Sequence, residues 1–194
     1  MHINVIGECD KRPVIYTLMK ICQELGDVLL ITTDSRLLRL SDTRDTYGHY
    51  QNTMIAVTNE GLDDFLDSFV YDLVDFENVI IDNIVDPDAD VVIYVKGYVQ
   101  SENEKDMLEY LDDYKVIEPY TRKLLDSSTP YKLEEFESLV DMCVVAPKLA
   151  KEVADALSGA LKVSTDNLKN IALKNTSVKV PKSSPLPFKI GGRK

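Results

Sequence analysis

Cysteine, histidine and tryptophan are scarce in this sequence. It has no tryptophan and two histidines, and its three cysteines, Cys9, Cys22 and Cys143, are scattered without a Cys-x-x-Cys pair. A structural zinc site needs about four Cys or His ligands at close spacing, so the sequence argues against this class of site. Scattered thiols are typical of reduced cysteines, and they favour a cytoplasmic location.

Long hydrophobic runs are also missing. No apolar segment reaches the roughly 18 residues that a membrane-spanning helix requires. The N-terminal residues, MHINVIGECDKR, do not place a basic stretch before a long apolar segment, which is the pattern of a secretory signal. We therefore expect neither a transmembrane segment nor a signal peptide.

Acidic and basic residues are unevenly distributed along the chain. The formal net charge is −11, yet residues 167–194 contain seven basic residues and no acidic one. The remaining body is strongly acidic and repels nucleic acid and anionic lipid. We expect a protein partner or a second copy of the chain, bound through the basic tail and the acidic body, and rank nucleic acid and anionic lipid behind them.

Short apolar segments alternate with helical patterns over most of the chain. The apolar segments are rich in β-branched residues and nearly continuous, as expected of strands buried in a parallel sheet. Between them, apolar residues recur at the three- and four-residue spacing of amphipathic helices. This alternation predicts an α/β fold with a doubly wound, mostly parallel sheet flanked by helices. The predicted strands are 2–6, 27–33, 53–58, 78–82, 90–96 and 115–120, and the predicted helices are 12–25, 62–73, 101–114, 132–142 and 146–159.

Three sets of residues indicate where helices begin or end. Pro13 suits the first turn of a helix, where no amide hydrogen is needed. Gly26 suits the C-terminal cap of the same helix. Ser101, with Glu104 three residues later, predicts a capping box at the start of another helix.

The periodic pattern ends near residue 178. The segment VKVPKSSPLPFKIGGRK, residues 178–194, contains three prolines and two glycines and has no helical period. We predict a single α/β domain over residues 1–177, followed by a disordered, flexible basic tail.

Apolar residues in the tail are spaced two apart, so an extended segment would point them the same way. This pattern suits strand addition to a sheet edge or docking in a groove, with charge attraction to an acidic surface. A plain solubilising terminus is the alternative. The candidate partner-binding residues are Leu186, Phe188, Lys189, Ile190, Arg193 and Lys194.

The loop after the first strand, GECDKRP, stands where many α/β proteins hold a phosphate. A P-loop reads G-x-x-x-x-G-K-[ST]: its glycines offer amide groups to the phosphates, its Lys neutralises charge, and its hydroxyl holds magnesium. Gly7 and Lys11 are present, but the second glycine and the hydroxyl residue are missing. Glu8 and Asp10 also place negative charge where the phosphate would lie. The loop therefore predicts no nucleotide hydrolysis.

Two longer stretches resemble the ParA/MinD family of partition and division-site ATPases. LGDVLLITTDSR, from residue 25, resembles the strand that ends in the switch Asp, and FENVIIDNIVDPDADVVIYVKG, from residue 76, resembles the Walker B segment and the strand after it. The resemblance covers roughly residues 2–100. It implies that Asp34 matches the switch Asp, Asp82 the Walker B Asp and Lys11 the P-loop Lys. The glycine-rich signature of the family is absent, and the segment between VIID and ADVVIYV is shorter than in the family.

The resemblance gives four candidate nucleotide-binding residues, Gly7, Lys11, Asp34 and Asp82. Structural roles are the simpler interpretation: strand-end carboxylates often cap turns, and Lys11 then serves as a solvated loop lysine. A metal is a further alternative, because DNIVDPDAD, residues 82–90, lies at the edge of the sheet where ligands bind. Asp82 and Asp86 are its candidate ligands. The stretch lacks the glycine and terminal Glu of an EF-hand, and a solvated acidic loop is the simpler interpretation.

Three functions fit these patterns. The sequence favours a non-enzymatic relative of ParA/MinD ATPases, a pseudo-ATPase that acts as an interaction or scaffold protein in assembly, positioning or secretion, with no cofactor. The second is a nucleotide-dependent switch ATPase that binds a magnesium–nucleotide complex with an atypical loop. The third is a Rossmann-like or receiver-like module that binds a ligand or metal. No G-x-S-x-G nucleophile motif is present.

Overall fold

The computed structural model of the chain describes residues 1–41, 46–111, 113–121, 131–132 and 145–174. Seven strands form the main sheet, and two short strands pair in a second sheet. The main strands are β1 (His2–Ile6), β2 (Val28–Thr32), β3 (Tyr47–Tyr50), β4 (Thr53–Val57), β5 (Asn78–Asp82), β6 (Val91–Val95) and β7 (Lys115–Ile117). The short strands are β8 (Tyr120–Thr121) and β9 (Tyr131–Lys132).

The described helices differ widely in length. They are α1 (Arg12–Cys22), α2 (Leu62–Ser68), α3 (Glu102–Glu109), α4 (Pro147–Leu161) and α5 (Thr165–Leu173). Short 3₁₀ helices cover Ser35–Leu40 and Leu73–Asp75. Within the described ranges, no helix is long and apolar enough to cross a membrane.

The main sheet has the strand order β3-β4-β2-β5-β1-β6-β7. Every neighbouring pair is parallel except β3 and β4, which are antiparallel. The predicted α/β class, with a mostly parallel sheet flanked by helices, is therefore confirmed. The strand at the β3 edge was not predicted, because its sequence, YGHY, has no apolar run.

Side chains alternate between the two faces of the sheet, and helices cover both. On β2, Val28 and Leu30 face the core formed with α1, α4 and α5, whereas Leu29 and Ile31 face the core formed with α2. A third, smaller apolar cluster joins β1 and β6 to α3. Burial on both faces explains why these strands have continuous apolar sequences rather than alternating ones.

The connection from β5 to β6 crosses β1 without a helix, and the buried Asn4 of β1 holds it in place. Asn4 Nδ2 donates to the carbonyl oxygens of Ile81 and Ile84 at 3.0 and 2.8 Å, and its Oδ1 accepts from the Asp86 amide at 3.1 Å. Asn4 has no exposed surface. Its amide group thus satisfies backbone groups that would otherwise be buried at a cost of several kcal/mol.

The observed helix ends agree only in part with those predicted from the sequence. Pro13 lies in the first turn of α1, and Ser101 forms the predicted capping box with Glu104. The predicted helix end at Gly26 is wrong: α1 ends at Cys22, and Gly26 lies in the turn before β2 with a φ of +150°. A side chain there would collide with Glu77, since its Cβ would lie 2.7 Å from that residue's Cγ.

Two further differences concern whole elements. The helical pattern over 62–73 gives a helix only as far as Ser68, and the backbone is extended at Phe69. Helix α5 was not predicted. Residues 133–144, which hold most of the predicted helix over 132–142, and the predicted tail at 178–194 lie outside the described residues and stay predictions.

Ile80 lies at the centre of the sheet and provides a test of the fold. It is fully buried on β5, between β2 and β1. Ile80→Asp should abolish cooperative folding, because a lone buried charge costs several kcal/mol and a domain is stable by only about 5–15 kcal/mol. Urea unfolding followed by circular dichroism measures this. Val74→Asp is the matched control, because Val74 is 89% exposed and its change should cost at most about 0.5 kcal/mol. A normal unfolding transition for Ile80→Asp would contradict the strand assignment.

Candidate functional site

The candidate site lies at the carboxyl edge of the sheet, where the loops after β1, β2 and β5 meet. These strands are adjacent, in the order β2-β5-β1, so their ends converge in space. The loops line a cavity of about 200 Å³. Three of the four predicted site residues, Lys11, Asp34 and Asp82, line it.

Lys11 is the central side chain of this site. It stands at the N-terminal cap of α1, and its Nζ donates to the Gly7 carbonyl at 2.6 Å and lies 2.8 Å from Asp82 Oδ1. Only 6% of the Lys11 side chain and 1% of the Asp82 side chain are exposed. The alternative interpretation of Lys11 as a solvated loop lysine is therefore wrong, because its ammonium is buried in an ion pair.

Asp82 links this ion pair to the end of β2. Within the described residues, its Oδ1 has the Lys11 ammonium as neighbour, and its Oδ2 accepts a 2.6 Å hydrogen bond from the Thr32 hydroxyl. Thr32 Oγ1 in turn accepts from the Asp34 amide at 2.9 Å. Burial raises the pKa of Asp82, while the adjacent Lys11 and Thr32 act in the opposite direction. The carboxylate therefore bridges three neighbouring strand ends.

Gly7 is required by the packing of the loop itself. Its φ is +148°, and a Cβ at this position would lie 2.4 Å from the carbonyl oxygen of Val95 in β6. Its amide donates to Asn83 Oδ1 at 3.1 Å, and Asn83 also has a left-handed φ of 57°. Close backbone approach thus explains the glycine without any bound phosphate.

A second charge network closes the mouth of the site. Arg12 forms a fork of hydrogen bonds with Asp10, the shortest being 2.6 Å, and Arg36 forms the same fork with Asp34, the shortest being 2.7 Å. Arg36 Nη1 also lies 3.7 Å from Asp10 Oδ2. Burial alone would raise the pKa of Asp10 and Asp34, but the hydrogen bonds and charge of the two arginines outweigh it and lower both. Asp34 also caps the 3₁₀ helix by accepting from the Arg36 amide at 3.0 Å, as the structural alternative predicted.

Helix α3 fixes the other side of the loop. The Glu8 amide donates to Glu104 Oε1 at 2.6 Å, and Asn103 Nδ2 donates to Glu8 Oε1 at 2.8 Å. Hydrogen bonds from Asn103 and Ser101 lower the pKa of Glu8. The buried Glu104 therefore serves both the capping box of α3 and the loop after β1.

Several residues of this site were not identified from the sequence. Thr32, Arg12, Arg36 and Glu104 all bond to candidate residues or to their loop. Thr32 ends an apolar strand, a position from which a polar side chain reaches the carboxyl edge, and that signal could have identified it. Glu104 lies almost 100 residues from its partner Glu8, and no local pattern joins them.

The two candidate metal ligands belong to different networks. Asp82 bonds to Lys11 and Thr32, whereas Asp86 lies 3.3 Å from His2 Nδ1 and accepts from the Asp88 amide at 3.1 Å. Among the described residues, no group of three or more His, Cys, Asp or Glu side chains is arranged to hold a metal ion. The predicted Asp82–Asp86 metal site thus stays a prediction without geometric support.

Three features of the site disfavour a magnesium–nucleotide complex. The cavity of about 200 Å³ is smaller than the roughly 300–1,000 Å³ typical of ligand pockets. Four carboxylates, at positions 8, 10, 34 and 82, face three cations, at positions 11, 12 and 36, so the local charge does not favour a polyphosphate. Arg12 also occupies the position of the magnesium-binding hydroxyl residue that follows the P-loop Lys.

Neither a scan against protein-family models nor a search of curated proteins finds a match to this chain. The resemblance to ParA/MinD ATPases therefore rests on the two sequence stretches, and the function is argued from the geometry of the site.

The Lys11–Asp82 pair can be tested with a double-mutant cycle. Lys11→Met alone should cost about 3–5 kcal/mol, because it leaves Asp82 buried without its counter-charge. Combined with Asp82→Asn, the loss should be about 1–3 kcal/mol smaller than the sum of the two single losses. Urea unfolding measures all four proteins. Lys96→Met is the matched control, because Lys96 forms a 2.7 Å pair with Glu118 in which both side chains are about half exposed; it should cost under about 1 kcal/mol. Additive losses would show that the buried pair is not coupled.

The lowered pKa of Asp10 predicts a pH dependence. A carboxyl group whose pKa in the folded state lies below its usual value of 3.8 stabilises the fold at pH values above 3.8. This contribution is lost as the pH falls through the pKa of the folded state. The stability difference between wild type and Asp10→Asn should thus be constant near neutral pH and shrink as the pH falls below about 4. A difference for Asp10→Asn that is independent of pH would contradict the assignment.

Proposed function

We propose that this protein is a non-catalytic interaction or scaffold protein, a pseudo-ATPase whose strand-end centre stabilises the fold instead of hydrolysing nucleotide. The buried Lys11–Asp82 ion pair carries this proposal. In a phosphate site, the lysine must offer its charge to the ligand. Here the ammonium already bonds to a carboxylate and to a backbone carbonyl.

The charge balance around the pair supports the same conclusion. Arg12 and Arg36, the other cations of the site, each hold a carboxylate in a two-pronged contact. A phosphate would have to compete with these carboxylates for the arginines. It would also lie close to the negative charge of the carboxylates, and this repulsion is strong in a partly buried site. The arrangement is that of a closed structural network that links three loops.

The surface supports an interaction role with a basic partner. Residues 59–77 contain seven acidic residues and no basic residue, and all seven side chains are exposed. Exposed apolar side chains lie in the same segment, with Val70 88% and Val74 89% exposed. Acidic and apolar groups together suit a protein partner with basic charge, as in assembly, positioning or secretion machinery.

A nucleotide-dependent switch is the second candidate, and one observation favours it. Lys11, at the end of the loop after β1, lies beside Asp82 at the end of the adjacent parallel strand β5, and Asp34 follows β2, as the family resemblance implies for a phosphate site. In such a switch the Lys11 ammonium would exchange Asp82 for a phosphate oxygen. The cost of breaking the buried pair would then have to be offset by the nucleotide.

Thermal unfolding with ATP, ADP or GTP, each with magnesium, distinguishes the two candidates. A site filled at one hundred times its Kd gains about 2.7 kcal/mol, which raises Tm by roughly 5–10 °C for a chain of this size. We expect no such rise with any nucleotide and no phosphate release above background. A rise that Asp82→Asn removes, in a variant whose circular dichroism is unchanged, would support the switch. Stabilisation by magnesium alone would support the metal-binding alternative.

A further inference from the structure

The outer strand β3 leaves a backbone edge open. Its register pairs Tyr47 with Ala56 of β4, and the Val57 amide donates to the Thr46 carbonyl at 2.9 Å. In an antiparallel ladder, hydrogen-bonded and non-hydrogen-bonded pairs alternate, so Tyr47 and His49 direct their backbone groups away from β4. Among the described strands, β4 is the only partner of β3, and those groups are open to another strand.

Apolar side chains surround this edge on one face of the sheet. They line a cavity of about 300 Å³, which we call the edge patch. The Tyr47 and Phe69 rings stack there at 5.9 Å, and Val70 is 88% exposed. The edge patch comprises Tyr47, His49, Met54, Phe69, Val70 and Tyr71.

The C-terminal residues complement this region in charge. Residues 59–77, which run past the edge patch, have seven acidic residues and no basic one, whereas residues 175–194 have five basic residues and no acidic one. Opposite charges of this kind steer a basic segment to an acidic surface.

The chain leaves the described structure close to the β3 edge. Lys174 is the last described residue before the tail, and its Nζ lies 3.2 Å from Glu24 Oε2. Gln23, which precedes Glu24 in the sequence, donates from Nε2 to the Tyr50 carbonyl at 3.1 Å. Residues 175–185 can span up to about 36 Å when extended. These contacts place the start of the tail on the α1 face of the sheet, towards the Tyr50 end of β3. A tail that passes round the sheet edge and follows it from there runs antiparallel to β3.

The order of prolines and apolar residues fits this direction. In an added antiparallel strand, the residues whose backbone groups face β3 have side chains on the same face as Tyr47 and His49. If Leu186, Phe188 and Ile190 take these positions, their side chains meet the edge patch. Pro185 and Pro187 then face outward, where no amide hydrogen is needed and where proline blocks further strand addition.

We propose that residues 186–190 of the chain's own tail add to β3 as an antiparallel edge strand and cover the edge patch. The proposal concerns the β3 edge of the sheet, three strands away from Asp82 on β5, and it does not rest on the proposed function. The added strand would pair with the open backbone groups of β3 and would bury the exposed aromatic side chains of the edge patch.

Amide exchange measured by NMR in the full-length chain tests the proposal. The Tyr47 and His49 amides should exchange at least about tenfold faster in Phe188→Asp than in wild type, because the added strand is lost. Val180→Asp introduces the same charge outside the apolar triplet and should leave both rates unchanged. On the other side of the contact, Val70→Asp should reproduce the effect of Phe188→Asp, whereas Val74→Asp, at equal exposure, should not.

Equal exchange rates in wild type and Phe188→Asp would overturn the proposal. Light scattering identifies the source of the strand: a wild-type monomer supports the chain's own tail. A wild-type dimer that Phe188→Asp converts to a monomer would assign the strand to a second copy and overturn the intramolecular contact.

Discussion

The carboxyl edge of this sheet depends on one buried ion pair. Lys11 at the start of α1 and Asp82 at the end of β5 form an ion pair that is shielded from water, and burying either charge without the other would be costly. Lys11 also bonds back to Gly7, and Asp82 also bonds to Thr32, so the pair fixes the ends of β1, β2 and β5 relative to one another. The loops that form the cavity are arranged around this contact.

Two charge networks with different exposure share the site. The inner one is the fully buried Lys11–Asp82 pair, and the outer one joins Arg12 and Arg36 to their carboxylates at the partly exposed mouth. In both, each cation already has an anion within the protein. This internal neutralisation stabilises the loops, and it removes the positive charge that a phosphate ligand would need.

Two regions of the sheet, the crossover over β1 and the β3 edge, are completed by different means. At β5 and β6, a helix-free crossover is possible because Asn4 satisfies three buried backbone groups. At β3, the sheet ends in a short antiparallel strand with an apolar patch beside it. The acidic segment around this patch suits a basic, apolar strand, the role proposed above for residues 186–190.

The sequence by itself determined the α/β class, because strands buried on both faces must be continuously apolar and amphipathic helices must repeat every three to four residues. The comparison with a P-loop and the resemblance to ParA/MinD ATPases indicated Gly7, Lys11, Asp34 and Asp82 as candidates, and Lys11, Asp34 and Asp82 line one cavity at the carboxyl edge of the sheet. Strand order, the pairing of Lys11 with Asp82 and the role of Glu104 were decided only by the tertiary structure. These depend on contacts between residues about 50 to 100 positions apart, such as Thr32 with Asp82 and Glu8 with Glu104, and a periodic pattern carries no information about them.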